Sequence, residues 1–431
     1  MPDIAELKIE KLVYGGEGLG HHEGRTVFVP MVLPDEVVSI TPLEQKKKFI
    51  RGRLTKILTP SPLRTTPPCP YFGTCGGCNY QHISCEQQLV YKSGILRETF
   101  SRLGRIVWEG EIVTHASPPF GYRNRAQWKI AAGAGGRPAI GYYEGSSQKL
   151  CPVAECSIVS PLMGQTLAAF GRLLAAGKLS PDLREVEAFT DHADARLLLN
   201  LSFEKSSGKP EELFSLLHGE VPGLETILVH DRHADRFDLN GPGHLLYRVG
   251  NHDLQVGHLS FFQSNRFLLD DLVALVIGDA RGGLALDLFA GVGLFTVPLA
   301  HRFQRVVGVE SNVAAARDLE TNLHESGAES PNARCTNVET FMARWNDVPD
   351  FVVLDPPRLG VPAPAIARLI KLAPRSISYL SCDPATLARD LAALVGTDEK
   401  PGPYQISEVH LVDIFPQTYH IEALVRLSRR G

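Results

Sequence analysis

No run of 18 or more apolar residues occurs in this 431-residue chain, so no helix is expected to span a membrane. The opening MPDIAELKIE has no apolar core, and no secretory leader is expected. Neither sign of charge prevails. A net charge of −4 excludes polyanion binding through bulk charge, although local patches can still act. Composition is not extreme: 44% of residues are hydrophobic and 21% charged, which excludes a disordered or fibrous chain. Internal repeats are absent. Cysteine is scarce and uneven, with eight in all and three of them at 69, 75 and 78. A chain this long can bury a full core without disulfide staples. Clustered thiols in a cytoplasmic setting point to metal instead. A cytoplasmic monomer with no membrane partner is the expectation, built from about three domains at roughly 150 residues each.

Residues 1–60 alternate and carry β-branched residues over Leu7–Val13, Arg25–Pro30, Glu36–Thr41 and Phe49–Ile57. Glycines at 15, 16, 18, 20 and 24 read as turns between them. Short strands at this spacing predict a small β-barrel of the oligonucleotide-binding type. Seven Lys or Arg face the single acid Glu44 between residues 44 and 64. They form either a lysine-guarded edge or a phosphate-tracking surface. A proline-rich linker, residues 60–70, precedes the cysteines. Residues 86–103 read as a helix with an apolar stripe of Leu89, Ile95, Leu96, Phe100 and Leu103. From 118 to 258 strands and helices mix, as expected of an α+β domain. The last third alternates apolar strands with helices, the rhythm of a doubly wound, mostly parallel α/β sheet.

That sheet carries the chemistry. Leu286-Asp-Leu-Phe-Ala-Gly-Val-Gly-Leu-Phe-Thr296 is a strand, a tight glycine turn and a helix start. A dinucleotide fingerprint wants a third glycine where Thr296 stands, and the Gly-Lys-Ser/Thr of a P-loop is missing. Glu310 ends the next strand, 19 residues after Gly291, where a carboxylate can accept both ribose hydroxyls. Asp287, the glycine pair and Glu310 together suggest S-adenosylmethionine. Asp355-Pro-Pro-Arg358 leaves another strand with a carboxylate aimed at the same crevice. Arg358 stands where amino-group methyltransferases tend to have an aromatic residue, which leaves methylation of carbon open. Cys382, in Ser381-Cys-Asp-Pro384, ends the following strand. Uracil C5 is too weak a nucleophile to attack a sulfonium methyl. A thiolate adding to C6 makes it an enolate carbon, which is covalent catalysis. A base must then remove the C5 proton. Glu422 is the candidate and His420 its rival.

Cys69, Cys75 and Cys78 lie on one short loop, with Cys151 or Cys156 as a remote fourth ligand. Four thiolates suit zinc or an iron–sulfur cluster. Zinc sites more often pair two CxxC units, so three close ligands and one distant one favour a cubane cluster. The Cys-x3-Cys-x2-Cys triad of radical chemistry is absent. For capture of an RNA, the candidates are the basic stretch at 44–64 and Arg123, Arg125 and Lys129, with Phe120 or Tyr122 to stack on bases.

Taken together, Phe261-Phe-Gln-Ser-Asn265, Asp287–Phe295, Asp355–Arg358, Ser381–Pro384 and Phe415-Pro-x-Thr-x-His-x-Glu422 make the chain resemble the RNA uracil-C5 methyltransferases. The resemblance is to the branch with an iron–sulfur cluster and an N-terminal TRAM domain, and it covers essentially the whole chain. It implies a TRAM barrel over 1–60 and a central iron–sulfur and RNA-binding domain over 61–85 and 118–258. It implies a Rossmann-like class I methyltransferase domain over 86–117 and 259–431. By the same resemblance, Gln263, Phe289, Glu310 and Asp355 contact S-adenosylmethionine, with Gly291, Gly293 and Leu294 in the turn and Asn337 near the third strand end. Leu294 stands where the family often has Asn, so it is expected to act only through its backbone. The nucleophile falls on Cys382 and the proton acceptor on Glu422. A [4Fe–4S] cluster falls on Cys69, Cys75, Cys78 and Cys156. Cys156 is preferred to Cys151 because the family follows that cysteine with x-Ile-x-x-Pro, the pattern of Ser157–Pro161. The expected function is methylation of C5 of a uridine in RNA, with 23S ribosomal RNA ahead of transfer RNA. An RNA cytosine-C5 methyltransferase ranks below, because Asp-Ala-Pro-Cys is usual there in place of Asp355–Arg358. A non-catalytic RNA-binding iron–sulfur protein ranks last, since Cys382 and Glu422 are both kept.

Overall fold

Five strands, Ile4–Leu12, Glu17–His22, Arg25–Pro30, Val37–Gln45 and Phe49–Thr59, close into a barrel in the computed structural model. The structure describes residues 3–133, 136–206, 209–328, 332–397 and 400–431. Period-2 alternation turns Leu7, Ile9, Val27, Val29, Val38, Ile40 and Ile50 inward as the barrel core. One strand was not legible in the sequence. Glu17–His22 reads as turn because of Gly18 and Gly20, yet both glycines lie inside a strand. A Cβ at Gly18 would come within 2.3 Å of Val32 Cγ2, and one at Gly20 within 2.3 Å of the Lys8 carbonyl oxygen. These glycines permit close approach between strands. The true turns fall at Gly15, Gly16 and Gly24, all with positive φ.

The barrel is welded to the rest of the chain. Leu12 and Leu33 share a buried cluster with Ile95, Leu96 and Phe100. Glu36 is fully buried. Its carboxylate accepts from Arg64 Nε at 2.6 Å and Nη2 at 2.8 Å, and from the N–H groups of Leu33 and Ser61. Burial pushes its pKa up, but Arg64 and the two N–H groups outweigh that and the net direction is down. Arg64 is therefore a structural cation, contrary to its place in the basic stretch.

The central region holds a sheet in the order Arg236–Asn240, Leu224–Asp231, Leu197–Phe203, Leu183–Thr190, Arg125–Ala132, Pro138–Tyr143 and Leu150–Pro152. The helix Pro161–Ala175, capped by Ser160, covers it through Met163, Leu167 and Phe170. The final sheet runs Ala333–Cys335, Phe303–Glu310, Gly282–Asp287, Phe351–Leu354, Ser376–Ser381, Glu422–Arg429, Tyr404–Val412 and Ile112–His115. Its first five strands are mutually parallel. Glu422–Arg429 is antiparallel to both of its neighbours. Phe351–Leu354 is buried throughout, as expected for a strand covered on both faces. The predicted helix at 86–103 is Cys85–Thr99, followed by one wide turn to Gly104. Its buried face differs from the predicted stripe: Gln88 and Lys92 are buried with Ile95 and Leu96, while Leu103 is exposed.

Removing the cation from a buried pair strands the carboxylate. Arg64→Met is therefore expected to lower the unfolding free energy by about 3 kcal/mol, read by urea denaturation. A change within error would mean that the barrel does not depend on this weld.

Candidate active site

Strand order alone gathers the site. Gly282–Asp287 has Phe303–Glu310 on one side and Phe351–Leu354 on the other, so the sheet reverses direction of winding there. Ligands bind in the crevice at such a switch point. Asp287, Glu310, Asp355 and Cys382 end or follow four neighbouring parallel strands. Glu422 starts the antiparallel strand beside them, and so reaches the same edge. Ser381 pairs with Ala423 in register, which sets Cys382 and Glu422 opposite each other across adjacent strand ends.

A cavity of about 680 Å³ opens at this edge. Among its walls are Gln263, Phe289, Gly291, Leu294, Glu310, Asp355, Cys382 and Glu422, joined by Arg123, Arg358, Phe415 and His420. Two expected residues lie elsewhere. Gly293 has φ 101, and a Cβ there would sit 2.9 Å from Leu319 Cδ1, so it serves packing of the turn. Asn337 caps the helix Val338–Arg344, its side chain accepting from Thr340 N–H at 2.8 Å. Thr296, at the place of a third glycine, donates its hydroxyl to Asp287 Oδ2 at 2.7 Å. Glu310 is held at the rim by N–H groups of Gly291 (2.9 Å) and Asn312 (2.6 Å). Ser311 Oγ also donates to Oε1 at 3.4 Å, and Oε2 keeps a lone pair for a further donor.

The electrostatics favour a cation. Burial, then the Glu310 charge, raises Asp287 to about 7 against the pull of Thr296. Among the described residues Asp287 Oδ1 is buried without a hydrogen-bond partner. Burial and the Asp287 charge raise Asp355 to about 7, while Gln263 Nε2 donates to it at 3.3 Å. Burial, then Asp355, raises Glu422 well above the usual carboxylate range. Burial, then Glu422 and Asp355, raises the Cys382 thiol to about 11, with Arg358 opposing. His420 is pushed down to about 4, first by burial and then by Arg358 and Arg123.

A buried clamp holds the segment from Asp413 to Glu422. Lys92 Nζ donates to Asp413 Oδ1 at 2.7 Å and to the Phe415 carbonyl at 3.1 Å. Gln88 exchanges two hydrogen bonds with Gln417. Asn265 donates to the Ile414 carbonyl. The barrel also touches this edge: Tyr14 packs edge-on against Tyr419, and its hydroxyl donates to the Cys382 carbonyl at 3.4 Å. Sequence reading missed the clamp. Its one signal is Gln88 and Lys92, polar residues four apart on a helix face shared with Ile95 and Leu96.

Residues 254–430 match the family described as tRNA (Uracil-5-)-methyltransferase. An uncharacterized RNA methyltransferase of Aquifex aeolicus is 33% identical, with 98% of each chain covered. The 23S rRNA (uracil(1939)-C(5))-methyltransferase RlmD of Alkalilimnicola ehrlichii is 32% identical, covering 99% of this chain and 97% of its own. This chain belongs to the RNA uracil-C5 methyltransferase family. The fold agrees: the Pyrococcus abyssi tRNA (uracil-54, C5)-methyltransferase, solved with S-adenosyl-L-homocysteine, superposes with a TM-score of 0.76 at 24% identity. The match covers 98% of this chain and all of that one.

A second cavity of the methyltransferase, about 70 Å³, is lined by Cys69, Cys75, Cys78 and Cys156 together with Tyr71, Phe72 and Tyr142. Cys151 is not part of its wall and packs in the core of the central sheet. Burial raises the Cys75 thiol to about 11 and that of Cys78 to about 12. Among the described residues no three His, Cys, Asp or Glu sit close enough to hold a single metal ion. Several expected RNA contacts are already committed within the protein. Tyr122 is fully buried, Arg125 pairs with Glu187, and Lys129 pairs with Glu185. Among the described residues Lys47, Lys48, Arg53 and Lys56 are exposed.

Two buried carboxyls near pH 7 bind a cation best when ionised. The affinity for S-adenosylmethionine is therefore expected to rise between pH 5.5 and 7.5, approaching about tenfold per pH unit below the pKa. Calorimetry across that range checks this. A flat profile would mean that Asp287 and Asp355 are already ionised in the free enzyme.

Proposed function

We propose that the chain transfers a methyl group from S-adenosylmethionine to C5 of a uridine in 23S ribosomal RNA. The observation that carries this reading is that Cys382 and Glu422 flank one cavity that Gln263, Phe289, Glu310 and Asp355 also line. The cofactor supplies an electrophilic methyl on a sulfonium, and the acidic, buried floor suits that positive charge. Cys382 Sγ, once its proton is lost to solvent, bonds as the thiolate to C6 while the C5–C6 π pair shifts onto the ring as an enolate. C5 then takes the methyl, and the electron pair of the broken bond stays on the cofactor sulfur. Glu422 removes the C5 proton, the double bond re-forms, and the thiolate leaves. A carboxylate in an apolar wall is a stronger base than one in water, which fits it for carbon deprotonation. His420, kept neutral, lines the same wall and shapes the pocket.

The ribosomal substrate rests on relatives of 30–32% identity over almost the full chain that are named for uracil 1939 of 23S rRNA. The transfer-RNA enzyme of known structure, at 24% identity, supports only the fold. The cysteine cavity is read as the seat of a [4Fe–4S] cluster. A zinc ion with bonds of about 2.3 Å would draw four thiols into mutual contact. The thiols here surround a void, as ligands of a larger cluster would. Cys69, Cys75, Cys78 and Cys156 would hold it, and its part is to fix the loops that carry them.

Cys382→Ala is expected to abolish methyl transfer while leaving cofactor affinity within about twofold, since the thiol acts on the base. Substantial turnover by that variant would sink the covalent route. Glu422→Gln is expected to methylate the RNA and then release it some 10²- to 10⁴-fold more slowly. A methylated protein–RNA adduct should then appear on denaturing gels, whereas prompt release would move the base role to His420 or water. Loss of 5-methyluridine from 23S RNA in a deletion strain checks the substrate; loss from transfer RNA alone would replace it.

A further inference from the structure

Two consecutive carbonyls of the base-bearing loop are held from the two sides of the cysteine cavity. Asn79 and Tyr80 directly follow Cys78, and their N–H groups donate to the Gln417 carbonyl at 2.9 and 3.0 Å. On the other side, Ser157 and Ile158 directly follow Cys156. Their carbonyls accept the N–H groups of Gly121 and Arg123, both at 2.9 Å, and Ser160 N–H returns a bond to the Arg123 carbonyl. Tyr122 lies between these two anchored residues. It is fully buried, and its hydroxyl donates to the Pro416 carbonyl at 3.0 Å. Gln417 has φ 66, a left-handed conformation that a residue with a side chain keeps only when its surroundings impose it. Five residues later the chain reaches Glu422.

We propose that Tyr122 is a positioning residue through which the cysteine site sets the place of Glu422. With Cys78 and Cys156 bound to one group, the spacing between their loops is fixed, and so is the grip on Pro416 and Gln417. With the thiols released, the two loops part, Gln417 relaxes, and Glu422 leaves its station opposite Cys382. Phe289 and Glu310 hang from other strands, so loss of the Tyr122 hydroxyl acts on proton removal and not on the cofactor. The inference rests on Glu422 being the base.

The test follows the covalent protein–RNA complex in a single turnover, comparing Tyr122→Phe with Glu422→Gln and the wild type. Tyr122→Phe is expected to form the adduct at the wild-type rate and to resolve it about five- to tenfold more slowly, the effect of one lost hydrogen bond. Its iron content and cofactor affinity should stay unchanged. If Glu422→Gln accumulates adduct and Tyr122→Phe resolves it at the wild-type rate, the positioning role is overturned. If Glu422→Gln also resolves it normally, the base assignment has failed and takes this inference with it. Amide exchange in the full-length protein gives a reading independent of turnover and of the variant's folding. Stripping iron with a chelator should speed exchange across residues 417–422 and leave the turn at 289–295 unchanged. Unchanged exchange at 417–422 would overturn the link to the cysteine site.

Discussion

Lys92 has no exposure to solvent, and the Asp413 carboxylate 2.7 Å away is what makes that tolerable. Burial pulls the lysine pKa down and Asp413 pulls it back. Buried ion pairs add little net stability, because desolvation offsets most of the attraction. What this pair supplies is direction. Lys92 also binds the Phe415 carbonyl, and Gln88, one turn earlier on the same helix face, closes two bonds on Gln417. The helix is itself seated by Ile95 and Leu96 in the main core. This helix therefore holds residues 413–417 from one side, while the Pro416 and Gln417 carbonyls are held from the side of the cysteine loops, and the strand that begins at Glu422 starts where Cys382 can face it.

The same edge concentrates negative groups in a place with little water. Burial raises the cost of ionising Asp287, Asp355 and Glu422, and to it Glu310 adds for Asp287, Asp287 for Asp355 and Asp355 for Glu422. Such an arrangement weakens the free protein and strengthens its hold on a cation, since one positive charge relieves several repulsions at once. Asp287 Oδ1, without a hydrogen-bond partner among the described residues, belongs to that imbalance.

Much of this was legible because strand ends are punctuated. Asp287, Glu310, Asp355 and Cys382 each follow a short apolar run, and the doubly wound rhythm sends such residues to one edge. The strand Glu422–Arg429 was not read, since its pairing partners, Ser376–Ser381 and Tyr404–Val412, are set by tertiary register. Gly18 and Gly20 misled because glycine marks close approach as often as it marks a turn. Arg64, Arg125 and Lys129 misled for another reason. A basic residue looks free until its acidic partner is placed, and Glu36, Glu187 and Glu185 are 28, 62 and 56 residues away in the sequence. Asn337 accepts one N–H at a helix cap, a use that sequence motifs do not separate from ligand binding.

The raised thiol pKa of Cys382 fits this picture. At about 11 little of the thiol is ionised at neutral pH, so without a bound donor the proposed nucleophile is held in its unreactive form. Burial keeps it so first, and after it Glu422 and Asp355, the same carboxylates that suit a cationic methyl donor. A cation against Asp355 removes one of the two repulsions that disfavour the thiolate. Arg358, already opposing them, then weighs more. Under the proposed chemistry a bound donor therefore eases ionisation of the thiol, although burial, the larger cause of its raised pKa, is left in place.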